Sequence, residues 1–186
     1  MNGLMNLTVV VSGLHGTGKS TYARCIADAF GLHHVSTGDF FRQIASKRRL
    51  SLTELSREAE KNDAIDRLLD ERTEEEIAKG GVVVDALLAG WMASRHSALK
   101  IYLSAPLEIR MRRIASRDGL SYAEAERVTL LRERIERRRF KRLYGIDIDD
   151  LSIYDLVLNT GLMPLEFNLE VVKSFIGGYI KVCGVK

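Results

Sequence analysis

Cysteine, proline and long apolar runs are all scarce in this chain, and each scarcity removes a class of protein. Cys25 and Cys183 are the only cysteines in 186 residues, far apart and outside any CxxC or Cys/His cluster. A disulfide framework or structural zinc site is thereby set aside, and a reducing cytoplasm is the expected setting. The two prolines, Pro106 and Pro164, mark no Pro-rich linker. With no repeat or low-complexity tract, the chain reads as one domain, or one domain carrying insertions, long enough for a real core. No apolar run approaches the ~20 residues of a membrane helix. Met1–Asn6 is a short mixed lead, not a charged-then-apolar signal. No membrane partner is expected. The charges nearly balance, at a net +3, which suits a binder of phosphorylated small molecules and does not require a nucleic acid.

What is present centres on Gly13-Leu14-His15-Gly16-Thr17-Gly18-Lys19-Ser20-Thr21, a match to G-x-x-x-x-G-K-[ST]. Its context is the one the pattern needs, a buried strand before it and a helix after it. Leu7–Val11 is a nearly unbroken β-branched run suited to a parallel strand covered on both faces. Lys19–Phe30 is proline-free and alanine-rich, and reads as a helix that Gly31 ends. Without Cβ atoms, Gly13, Gly16 and Gly18 let the backbone approach an anion closely. The loop amides then face it beside a helix N-terminus. Lys19 is expected to reach the β- and γ-phosphates of a triphosphate and Ser20 to ligate Mg²⁺.

The rest alternates strands with helices. His33–Ser36 is a second strand, followed by the turn Thr37-Gly38-Asp39 and a helix over Phe40–Lys47. Ser51-Leu52-Thr53-Glu54 is a capping box opening a helix to about Lys61. Asp63–Lys79 is a further helix, with Ile65, Leu68, Leu69 and Ile77 as its apolar positions. Val82–Asp85, Leu99–Leu103 and Asp155–Asn159 are three more strands. Pro106 is expected in the first turn of a helix to Arg117, and Pro164 opens the last helix. Ser121-Tyr122-Ala123-Glu124 caps a long arginine-rich helix to about Tyr144. This order predicts an α/β fold, a five-stranded parallel sheet with helices on both faces and ligands at the carboxyl ends of the strands. Gly13, Thr37 and Asp85 all fall at that edge. Asp85 closes an apolar strand, where a carboxylate holds Mg²⁺ directly or through water, although an aspartate there also serves as a helix cap. No NKxD motif occurs, and the only DxxG, Asp28–Gly31, lies in the tail of the first helix. A GTPase is disfavoured.

Several stretches carry a resemblance: Ser12-Gly13 with Lys19-Ser20-Thr21, Ser36-Thr37-Gly38-Asp39-Phe40-Phe41-Arg42, and Leu88-Ala89-Gly90-Trp91-Met92. Ala105–Arg110, Arg113–Arg117 and Tyr144–Val157 extend it. Over nearly its whole length the sequence resembles the archaeal-type cytidylate kinases, a group of P-loop nucleoside monophosphate kinases. The D-G-[FY]-P-R run of adenylate kinases is replaced here by Asp85-Ala86-Leu87-Leu88-Ala89. The resemblance implies a P-loop NTPase core (1–36, 79–117, 147–186), a monophosphate-binding insertion at about 37–78 and a lid at about 118–146. It implies ATP on residues 13 to 21 with Arg117, and CMP or dCMP on Thr37, Gly38 and Arg42. Arg132 and Arg139, seven residues apart on one helix face, match the lid pattern that meets the phosphates. Arg134, Arg137 and Arg138 read as a solvated face, with Glu133/Arg137 an i,i+4 pair.

One departure stands out: many relatives carry an arginine where this chain has Leu87, and either the site is weaker there or another arginine, Arg67 or Arg72, substitutes. Cytosine presents an N4 donor beside N3 and O2 acceptors, so a carboxylate next to a cation or hydroxyl reads it. Asp66, Asp70 and Arg72 are the candidates, with Thr37. His33 and His34 read as strand-edge residues and Trp91 as core. The expected reaction is ATP plus CMP, or dCMP, to ADP plus the diphosphate in a Mg²⁺-dependent monomer, with Lys19, Arg42, Arg132 and Arg139 as its catalytic residues. The residues leave open another acceptor (AMP, UMP or another small molecule), a nucleotide sensor without turnover, and an RNA-binding ATPase using Arg127–Arg142. No aromatic stacking platform accompanies those arginines.

Overall fold

The computed structural model describes residues 7–184, so the lead Met1–Asn6 lies outside the described residues. Five parallel strands form one sheet: β1 (Thr8–Ser12), β2 (His33–Ser36), β3 (Val82–Asp85), β4 (Leu99–Ser104) and β5 (Leu156–Asn159). Their order across the sheet is β2-β3-β1-β4-β5. The expected α/β architecture is observed. Strand alternation decides which residue faces which layer. Val9 and Val11 point toward α1 (Lys19–Phe30) and α8 (Leu165–Cys183), where Tyr22, Ile26, Val172 and Ile176 complete a fully buried cluster. Val10, Val82 and Val84 point the other way, toward Ile77 of α4 (Ala64–Lys79) and Ala89 of α5 (Ala89–Met92). A short 3₁₀ turn over Ala93–Arg95 follows α5.

Between β2 and β3 the chain inserts α2 (Thr37–Arg48), α3 (Leu52–Lys61) and α4, which share a small core of Phe41, Leu55, Ala59, Ile65 and Leu69. Helix α6 (Leu107–Asp118) and the long α7 (Tyr122–Tyr144) follow β4 and meet through Met111, Ile114 and Ala125. Ser51 and Glu54 form the reciprocal capping box expected of them. At Ser121 only the hydroxyl half is made, accepting from the Glu124 amide.

Several boundaries differ from the sequence expectation, three of them at helix starts with a clear physical reason. Helix α2 begins at Thr37, not Phe40, because Ser36 caps it by accepting from the Asp39 amide. Thr37, Gly38 and Asp39 are therefore the first helical turn. Pro106 and Pro164 stand one residue before α6 and α8 with extended ψ, as caps and not first-turn residues. Leu68 is 57% exposed, since burial on α4 goes to Ile65, Leu69 and Ile77 while Leu68 lies off that stripe. Among the described residues no helix is long and apolar enough to cross a membrane.

Helix α5 is pinned against the sheet edge by the Gly90 amide, which donates to Ser12 Oγ. A Cβ on Gly90 would meet the Tyr154 ring at 2.5 Å, and that ring is wedged against Trp91 and Tyr102. Gly90→Ala is expected to destabilise the protein by about 2 kcal/mol through overpacking. Urea unfolding of Gly90→Ala, Tyr154→Leu and the double variant checks this. The double variant should lose less than the sum of the two single losses.

Candidate active site

The register of the sheet assembles the site. Ser36 pairs with Asp85, and Asp85 with Val11, so the ends of β2, β3 and β1 lie level at the carboxyl edge. The chain leaves β1 through the loop Gly13–Gly18. Gly13 has φ +146°, and a Cβ there would lie 2.2 Å from the Leu103 carbonyl oxygen. Gly18 is left-handed at the start of α1, whose first amides have no carbonyl partner within the helix. Lys19 folds back over the loop, donating from Nζ to the carbonyls of Gly13 (2.7 Å) and Leu14 (3.0 Å). Burial lowers its pKa to about 8, although Asp85, Glu136 and Glu133 pull the other way. Thr17 closes the loop from Oγ1 to the Leu14 carbonyl.

Asp85 is buried, with three donors on its carboxylate. Ser20 Oγ and Ser36 Oγ donate to Oδ1 at 3.2 and 3.1 Å, and His34 Nε2 donates to Oδ2 at 2.7 Å. His34, on the edge strand β2 as expected, is thus also a partner of Asp85. Among the described residues no group of three or more His, Cys, Asp or Glu side chains is placed to hold a metal ion. A hydroxyl and a carboxylate beside a phosphate loop nevertheless fit Mg²⁺, a hard cation that keeps waters and phosphate oxygens as its other ligands.

A cleft of about 640 Å³ opens over the loop. It brings together His15, Gly16, Gly18, Lys19, Ser20, Thr21, Thr37, Gly38, Arg42, Asp66, Asp70, Asp85, Arg117, Arg132 and Arg139 of the expected residues. Gly13, Leu14 and Thr17 shape the loop from behind, Leu14 packing with Leu88, Phe140 and Ile148. Arg72 is not brought to the cleft. Its guanidinium stacks on the Phe40 ring, 3.7 Å from the centroid. Arg67 does not line it either, whereas Leu87 does.

Arg132 and Arg139 share one face of α7, as their spacing predicted, and that face turns toward the cleft. Arg139 Nε lies 3.0 Å from Asp66 Oδ2, and its Nη1 donates to the Ser56 carbonyl. Arg132 Nη2 stands 3.6 Å from Glu136. Its Nε, though buried, has no hydrogen-bond partner among the described residues. Arg42 is tied to Asp39 one turn earlier, and Arg117 forks onto Asp118 at 2.7 and 2.8 Å. The Thr37 hydroxyl donates to Thr73 Oγ1 (2.9 Å), because the Thr73 proton goes to the Leu69 carbonyl. Glu133 does not pair with Arg137. It is buried against Arg110 at 2.5 Å, while Arg137 forks onto Asp149. Spacing alone placed them together, but each pairs with a residue outside α7.

A parallel sheet with a glycine-lined anion loop after β1 and a carboxylate at the end of β3 defines a P-loop kinase fold. A shikimate kinase from Bacteroides thetaiotaomicron shares it, with a TM-score of 0.59 at 13% identity over 92% of this chain and 98% of that one. Sequence narrows the class: a profile described as the cytidylate kinase-like family matches residues 8–162. Proteins named cytidylate kinase are similar throughout. The one from Staphylothermus marinus is 45% identical over 175 residues, 94% of this chain and 99% of that protein. The one from Ignicoccus hospitalis is 45% identical over 168 residues, 90% and 98% of the respective chains. The chain belongs to the cytidylate kinase-like family, as its motifs implied.

Sequence reasoning missed Arg24 and Arg113, which also line the cleft. Arg113 donates to the carbonyls of Gly16, Thr17 and Thr160 and to Thr160 Oγ1. Arg110, one turn earlier, donates to the His15 carbonyl. Their i,i+3 spacing signals a shared face of α6, but nothing local says that the face meets the loop.

Asp66 and Asp70 lie one turn apart on α4, and burial raises both to about 6, against Arg139 at Asp66 and a Tyr144 hydrogen bond at Asp70. The ordinary value for each is 3.8. Below that value both folded and unfolded chains are protonated and no penalty arises. As pH rises through about 6 the folded carboxyl must ionise in a buried setting, so stability falls across that window. Asp70→Asn should therefore gain denaturant midpoint relative to the wild-type chain as pH is raised from 4 to 7.

Proposed function

We propose that this chain is a cytidylate kinase, transferring the γ-phosphoryl group of ATP to CMP, and to dCMP, in the cytoplasm as a monomer. The observation that carries the reading is the convergence of Lys19, Ser20 and Asp85 with Arg42, Arg132 and Arg139 around one cleft. The family relatives' names supply the acceptor. In this reading residues 13 to 21 hold the triphosphate, Arg117 flanks it, and Thr37, Gly38 and Arg42 hold the acceptor's phosphate. Helices α2–α4, about 37–78, form the monophosphate-binding part, and about 118–146 the lid.

The chemistry asks little covalent help of the protein. A monophosphate is already an ionised nucleophile, so no general base is required. Rate comes from aligning donor and acceptor and from neutralising the transferring oxygens. Lys19 and the loop amides hold the donor, Arg42 orients the acceptor, and Arg132 and Arg139 meet the developing charge. Mg²⁺, held by Ser20 and Asp85, supplies further neutralisation when bound. Asp66 and Asp70 offer carboxylates to the N4 amine of cytosine, with Thr37 oxygen lone pairs nearby. Arg72, engaged with Phe40, has no part in this reading of the base. The α7 arginines also argue against an RNA stripe. Arg132 and Arg139 turn inward, and Arg137, Arg138 and Arg142 are paired with Asp149, Glu60 and Asp63.

An ADP-release assay over CMP, dCMP, UMP and AMP is expected to give turnover with the cytidine nucleotides and at most weak turnover with the others. Preference for AMP or UMP would overturn the acceptor assignment. Lys19→Ala should lower kcat on the order of a hundredfold, about 3 kcal/mol of transition-state stabilisation, and near-full turnover would remove Lys19 from its role.

A further inference from the structure

His15 stands in the middle of the phosphate loop, yet it is linked to α7 by two routes, one direct and one through Arg110 of α6. Its carbonyl accepts from Arg110 Nη1 (2.9 Å), which also donates to Glu133 (2.5 Å). Its ring lies with Nε2 2.7 Å from Glu136 Oε2. Glu133 and Glu136 are three residues apart, on one face of the helix, so a single loop residue grips one helical turn at two points. We propose that His15 is a positioning residue: by occupying one oxygen of Glu136 it keeps that carboxylate from clamping Arg132, and so leaves the Arg132 guanidinium available to the transferring phosphate. The proposal rests on the phosphotransfer reading above.

The geometry around Glu136 supports this division of labour. Arginine and carboxylate in contact favour a two-oxygen fork. Arg132 instead meets Glu136 through one nitrogen at 3.6 Å, on Oε1, the oxygen His15 does not hold. The Arg132 Nε is buried without a hydrogen-bond partner among the described residues, so the guanidinium is held at one edge only. Arg132, Glu136 and Lys19 line the same cleft, with Lys19 folded over the glycine loop. Burial lowers the His15 pKa more than Glu136 raises it, with Arg132 and Lys19 adding to the lowering. His15 therefore works at pH 7 as a neutral N–H donor and not as a cation. Burial disfavours the Glu136 anion too, but its contact with His15 and the nearby Arg132 and Arg139 outweigh it and hold the carboxyl below the usual carboxylate range.

Kinetics of four variants test the idea, using whichever monophosphate the wild-type chain phosphorylates. His15→Ala should lower kcat on the order of tenfold and leave KM for the monophosphate within about twofold. His15→Gln, a neutral donor of similar reach, should recover most of the loss. Adding His15→Ala to Glu136→Gln should cause no further fall, because an amide cannot clamp the guanidinium as a carboxylate does. Imidazole ¹⁵N NMR gives a readout independent of turnover: His15 should be the Nε2–H tautomer at pH 7, and that preference should be lost in Glu136→Gln. An imidazolium at pH 7, equal losses in His15→Ala and His15→Gln, losses that multiply in the double variant, or unchanged kcat in His15→Ala would each overturn the proposal. Absence of CMP turnover in the wild-type chain would instead count against the acceptor assignment alone.

Discussion

Everything in the cleft is placed relative to one constraint, the close approach of a glycine backbone to the ends of β1 and β4. Gly13 sits so near the Leu103 carbonyl that no side chain fits, and this lets the loop turn tightly enough for Lys19 to fold back over it. The ammonium then bridges the Gly13 and Leu14 carbonyls. From that point the positions of Ser20, Asp85 and the start of α2 follow from the parallel register. Three neighbouring strands end level, and each contributes a polar residue at the edge where the loop leaves the sheet.

A second layer of order comes from buried charge. Helix α7 presents Arg132, Glu133, Glu136 and Arg139 inward, and three of them find a polar partner on another element, while Arg132 has only Glu136 of its own helix. Arg110 of α6 takes Glu133, His15 of the loop takes Glu136, and Asp66 of α4 takes Arg139. Buried pairs of this kind contribute little net stability, because desolvation offsets much of the attraction. Their effect is on geometry: an unpaired partner is so unfavourable that the helix is held to one rotation and one height over the cleft. The same face thereby touches the donor loop and the inserted helices, which couples the two ends of the site.

The local patterns were readable from the sequence because they are short-range. The loop motif, the β-branched strands, the Ser51 capping box and the shared helix face of Arg132 and Arg139 all depend on neighbours within a helical turn or two. The misreadings share a different character. Glu133 was matched with Arg137 because the i,i+4 rule sees only one helix, whereas its partner Arg110 lies 23 residues earlier. His34 does lie on the edge strand, but its acceptor, Asp85, is 51 residues away and out of reach of a local reading. Arg72 was drawn toward the base by its charge, and the aromatic face of Phe40 claimed it instead. The start of α2 moved to Thr37 because Ser36 ends a strand and caps a helix at once, two roles that a linear reading separates. Helical periodicity identifies an inward face but cannot say what it faces.

The central claim is that one cleft aligns a triphosphate on the loop with a second nucleotide's phosphate on Arg42. It is tested most directly by a crystal structure with a dinucleoside pentaphosphate joining adenosine to cytidine. The account predicts a phosphate chain running from Gly16–Ser20 past Arg132 to Arg42, with the cytosine ring beside Asp66 and Asp70. A phosphate chain lying outside residues 13 to 21, or Arg42 turned to solvent while the ligand is bound, would contradict it.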